Sequence, residues 1–89
     1  MQKLVIETTS SKNEFSRDII PFANIKLMRE QTKEDGSKLL VVYFGNGSAA
    51  IAFKDGPSRF GVSDGIAGVR SVSISEAIDE FLTYEEMGK

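Results

Sequence analysis

The chain has 89 residues, 40% hydrophobic and 27% charged, with a net charge of -2 at pH 7. That is room for a single domain, 1–89, burying about 60 to 65% of the surface its unfolded chain exposes, and it excludes the disordered and collagen-like classes. The absence of cysteine and histidine excludes disulfides, thiolate and imidazole metal sites, and the commonest nucleophile and general base.

Any catalysis would have to run on carboxylates, Lys, Tyr or Ser, so the composition argues for a non-catalytic protein with no cofactor and no metal. No apolar run approaches the roughly 18 residues that span a bilayer. The opening MQKLVIETTSSK turns polar after three apolar residues, which reads as a cytoplasmic protein with neither a leader nor a membrane anchor.

In chain order, residues 3–7 form a short strand, with Leu4 and Ile6 on one side and Val5 on the other. Residues 8–17, TTSSKNEFSR, follow neither a 2.0 nor a 3.6 period and read as an exposed, mobile loop. Phe15 is the one apolar residue through which that loop would meet a partner. Strand character returns at 19–20, is interrupted at Pro21, and resumes over 24–32. Proline donates nothing to a ladder, so Pro21 marks an edge, a bulge or a one-turn break.

The centre of the chain is a hairpin of strands 38–45 and 48–54 around Asn46-Gly47, a dipeptide suited to a type I′ turn. A two-residue loop sets Phe44 opposite Ala49, Val42 opposite Ile51 and Leu40 opposite Phe53, which gathers the larger apolar side chains on one face. The other face carries Leu39, Val41 and Tyr43 against Ala50 and Ala52. The link before it contains Asp35-Gly36. As a two-residue loop this places Leu27 opposite Phe44 on the large face, whereas a three-residue loop moves it to the other; the first register is the expected one.

Residues 55–70 are rich in glycine, with turn dipeptides at Asp55-Gly56 and Asp64-Gly65 and a weak strand over 59–63. Last comes a helix over 74–86. Ser73 and Glu76 have capping-box spacing, and Ile74, Ala77, Ile78, Phe81 and Leu82 form one apolar stripe, with Gly88 as the stop. The fold class is therefore α+β: an antiparallel meander of four to five strands, flat or curled as a small open barrel, packed by the C-terminal helix on the large hairpin face.

Three surfaces are candidates for function. The face of Leu39, Val41, Tyr43, Ala50 and Ala52 is too apolar for water, and a second copy in a homodimer or curling of the sheet would cover it. Gly61, Gly65 and Gly68, bordered by Arg59 and Arg70, offer backbone N–H groups and cations to a phosphate or nucleotide, although neither phosphate-loop spacing is present. Glu76, Asp79, Glu80, Glu85 and Glu86 give the helix an acidic face for a basic protein partner, or simply a solvated surface. Nucleic acid fits poorly, because Lys26, Arg29 and Lys54 form no stripe beside the aromatics. The resulting expectation is a small protein-interaction or regulatory module acting as a homo-oligomer, with a small-ligand binder as the alternative.

Overall fold

A computed structural model describes residues 2–45, 49–65 and 68–87. Seven strands run β1 (Lys3–Thr9), β2 (Phe15–Pro21), β3 (Ile25–Thr32), β4 (Lys38–Phe44), β5 (Ala50–Lys54), β6 (Ser58–Ser63) and β7 (Val69–Val72), followed by α1 (Ile74–Glu86). They form two antiparallel sheets, ordered β2-β1-β6-β7 and β3-β4-β5. The fold is α+β, and the sheets do not close into a barrel.

The β4–β5 hairpin takes the register its apolar pattern dictates, with Leu40 opposite Phe53, Val42 opposite Ile51 and Tyr43 opposite Ala50. The expected turn at Asn46-Gly47 and the start of the strand at Ser48 lie outside the described residues.

The β3–β4 register differs from the expected one. Leu27 pairs with Tyr43 and Arg29 with Val41, because Glu34-Asp35-Gly36 forms a three-residue loop. Lys33 N–H donates to the Ser37 carbonyl at 2.8 Å, and Gly36 sits at φ 87°, the left-handed position that such a loop assigns to glycine. The Asp35 carboxylate accepts from the Ser37 hydroxyl at 2.6 Å and from its N–H at 2.9 Å. These bonds, the hydroxyl's foremost, hold the Asp35 carboxyl below its ordinary value. Turn chemistry thus overrides the apolar preference of one residue: Met28 enters the core at 6% exposure and Leu27 stays outside at 44%. A bulge between Ile25 and Leu27 then returns Ile25 to the interior.

The expected loop at 8–17 shrinks to residues 10–14. Thr8 and Thr9 extend β1, while Phe15, Ser16 and Arg17 open β2 in register with it. Ser10 closes the connection, its N–H donating to the Glu14 carbonyl at 2.8 Å and its hydroxyl accepting from the N–H groups of Lys12 and Glu14. Being at an edge, β2 leaves all but Ile20 and Pro21 exposed, so no apolar alternation marks it. Pro21 ends this edge strand, and a single 3-10 turn, Phe22–Asn24, leads into β3. Strand β7 is a further addition: only Val72 of its four residues is buried.

The helix has the expected bounds. Ser73 Oγ accepts from Glu76 N–H at 3.1 Å, and the Glu76 carboxylate accepts from Ser73 N–H at 2.8 Å. Gly88 lies outside the described residues. The helix packs against β3, β6 and β7, so it shares the large hairpin face with the four-stranded sheet. Leu4, Ile6, Phe60 and Val62 from that sheet join Leu40, Val42 and Phe53 in one core with Ile74, Ala77 and Phe81. The N-terminal strand and the Phe60 region therefore cover the large-residue face, where a curled sheet would have put them over the smaller one. Leu82 points half-exposed to solvent, and Tyr84 takes its place inward. Phe22 meets Phe81 edge-on at 5.6 Å and Tyr84 at 5.4 Å between ring centroids.

Two outcomes follow from this packing. Phe22→Ala removes a fully buried ring and costs about 3–5 kcal/mol; because that is a large share of a small domain's stability, circular dichroism should show a much lower Tm or no cooperative transition. Ser73→Ala costs about 1 kcal/mol at neutral pH, read as a Tm lowered by several degrees. Hydrogen bonds from Ser73, its N–H first, hold the Glu76 carboxyl below its ordinary value. A depressed carboxyl stabilises above the ordinary carboxylate range and loses that contribution as pH falls through its folded value. The Tm of the wild type should therefore fall in acid, and the gap to Ser73→Ala should narrow only by the hydroxyl's smaller share, because the variant keeps the Ser73 N–H bond.

Candidate functional site

Two sheet faces point away from the core. The first is the outer face of β3-β4-β5. Alternation places Leu27, Arg29 and Gln31 on it from β3, Leu39, Val41 and Tyr43 from β4, and Ala50, Ala52 and Lys54 from β5. The structure thus brings the five sequence-predicted residues, Leu39, Val41, Tyr43, Ala50 and Ala52, together and adds Leu27. Val41 is buried without belonging to the core, shielded by its neighbours on the same face. The Arg29 guanidinium carbon lies 5.4 Å from the centroid of the Tyr43 ring, close enough for cation–π attraction and for the arginine stem to cover apolar surface. Arg29 and, at the far end, Lys54 are the charged residues of this patch.

The second is the outer face of β2-β1-β6-β7, which the sequence reading did not single out. Arg17, Glu7 and Arg59 line up across three neighbouring strands as cross-strand partners. Arg17 grips one Glu7 carboxylate oxygen through Nη2 at 2.6 Å and Nε at 3.0 Å. Apolar residues flank this charged row: Phe15 on one side, and Ile19, Val5 and Val69 on the other. Phe15, Ile19 and Val69 are 62%, 56% and 60% exposed. Phe15 and Ile19, four residues apart with the charged Arg17 between them, leave only a trace of this face in the sequence and set no apolar period.

The five glycine-segment residues do not converge. Arg59 shares a face with Gly61, whereas Arg70, paired with Val62, lies on the core side of β7 and binds Glu80 of α1 at 2.9 Å. Gly65 and Gly68 sit at φ 87° and 85° in the β6–β7 connection, and the N–H of Gly65 donates to Ser63 Oγ at 3.1 Å. Gly61 has a packing reason: a Cβ there would meet Val69 Cγ1 at 2.5 Å and the Arg70 carbonyl oxygen at 3.2 Å. The acidic helix residues also divide. Glu76 is engaged in the cap and Glu80 by Arg70, while Asp79 and Glu86 are exposed on the outer side.

Among the described residues, no group of three or more carboxylates gathers as a metal site, and no helix is long and apolar enough to cross a membrane. The packing at Gly61 predicts that Gly61→Ala lowers the Tm, and that adding Val69→Ala, which removes the nearer clash, restores most of the loss in a thermal melt. Comparison of this chain with protein-family models, with curated proteins and with solved structures finds no match.

Proposed function

We propose that this chain is a small, non-catalytic protein-interaction module of the cytoplasm that self-associates through the outer face of β3-β4-β5. The observation that carries this reading is the apolar character of that face: Leu27, Leu39, Val41, Tyr43, Ala50 and Ala52 stand together, with the Arg29 charge laid over Tyr43. An antiparallel sheet that faces water on one side normally carries polar residues there. Covering this patch removes apolar area from water at roughly 25 cal/mol per Å².

A second copy is the simplest cover, because two-fold self-association pairs a surface with itself. The small Ala50 and Ala52 side chains let another sheet approach to the usual spacing of about 10 Å. The phosphate-binding alternative has less behind it, since Arg59 and Arg70 lie on opposite faces.

Leu27→Lys and Ala52→Glu test the reading at exposed positions, where the fold tolerates a charge. Sedimentation velocity at high salt, where charge-driven contacts are screened, should find the wild type at twice the 9.8 kDa chain mass and the double variant as a folded monomer. A wild-type monomer, or a double variant that still dimerises as before, would overturn it.

A further inference from the structure

The second outward face has a counterpart elsewhere on the molecule. Across β2-β1-β6-β7, Arg17 and Arg59 flank Glu7 from the two neighbouring strands. Lys3 lies on the same face, so three cations stand against one carboxylate, on a chain whose net charge is -2. Glu7 is held by Arg17, while Arg59 makes no ion pair or side-chain hydrogen bond among the described residues. A shallow trough of about 270 Å³ runs beside it, lined by Val5, Arg59, Gly61 and Val69, with the Val69 side chain lying over Gly61 as its apolar wall.

Opposite in sign and similar in spacing is the solvent side of α1. Ser75, Asp79, Leu82, Thr83 and Glu86 are all exposed. Asp79 and Glu86 are seven residues apart, two turns along the same side, so at 1.5 Å per residue their backbones are about 10 Å apart. Arg17 and Arg59 are separated by one intervening strand, which at the usual inter-strand spacing is also about 10 Å. Leu82 stands between the two carboxylates and to one side, where the apolar row of Ile19, Val5 and the Gly61 trough would lie.

We infer that α1 of one molecule docks across the Arg17–Glu7–Arg59 row of a second copy, with Asp79 and Glu86 meeting the two arginines and Leu82 entering the trough beside Gly61. The helix packs on the core side of the four-stranded sheet and the arginine row lies on the other, so donor and acceptor surfaces face opposite ways. The contact is head-to-tail: it builds rings or chains, distinct from the two-fold contact proposed above. Being partly electrostatic and solvent-accessible, it weakens as salt rises.

The test uses the full chain carrying Leu27→Lys and Ala52→Glu, so that any association comes from this second contact. In sedimentation at low salt its weight-average mass should climb with concentration to about twice the monomer mass and beyond, and fall back at high salt. Adding Arg59→Glu should return it to monomer, as should adding Asp79→Lys with Glu86→Lys. Mixing those two charge-reversed proteins should restore association that neither shows alone, with circular dichroism confirming that each is folded. A background that stays monomeric at every concentration, an Arg59→Glu protein that associates unchanged, or a mixture that fails to associate would overturn the assignment and leave the arginine face to a different partner.

Discussion

Phe22 is the contact on which the rest of the structure depends. It sits in the single 3-10 turn between β2, an edge of one sheet, and β3, an edge of the other, and its ring is fully buried edge-on against Phe81 and Tyr84 of the helix. Its N–H donates to the Gln2 carbonyl at 3.0 Å, which keeps the turn attached to the N-terminal strand. One side chain therefore joins both sheets and the helix. Pro21 makes the geometry possible: it ends β2 at a position where no ladder hydrogen bond is lost and holds the chain extended into the turn.

The two sheets and the helix surround one shared core, which buries one face of each sheet and one side of the helix. Among the described residues no further element covers the two remaining sheet faces. Their characters differ for a local reason. On β3-β4-β5 the three-residue loop at Glu34-Asp35-Gly36 sends Leu27 outward to join Leu39, Val41 and Tyr43, so the patch is apolar with a single arginine folded over it. On β2-β1-β6-β7 the register aligns Arg17, Glu7 and Arg59, so the patch is basic with apolar margins. The two proposed contacts differ accordingly, one symmetric, the other directional and sensitive to salt.

The glycine segment shows how linear spacing misleads when a strand is hidden inside it. Arg59 and Arg70 border a run of glycines and look like the two jaws of an anion site. The intervening residues, however, complete β6, turn, and begin β7, and the period of two along each strand leaves the arginines on opposite faces. The glycine of consequence is Gly61, and its role is to leave room for Val69 and the Arg70 carbonyl of the neighbouring strand.

The sequence by itself determined the elements that are closed by local chemistry. The helix bounds follow from the Ser73–Glu76 box and a 3.6-residue stripe, and the β4–β5 register follows from two apolar runs that match in only one alignment. Both are decided within a few residues of each other. Tertiary structure alone decided the rest. β2 and β7 are too exposed to carry an apolar period and exist because β1 and β6 offer them hydrogen-bonding edges. Whether Leu27 or Met28 goes inside turned on the three-residue loop, closed by the Lys33–Ser37 backbone bond with Gly36 at positive φ, and the exchange costs little because Met28 is buried in place of Leu27. The arginine row spans residues 42 positions apart at its ends, and no local pattern encodes such a juxtaposition, because it exists only once β1 has paired on both sides.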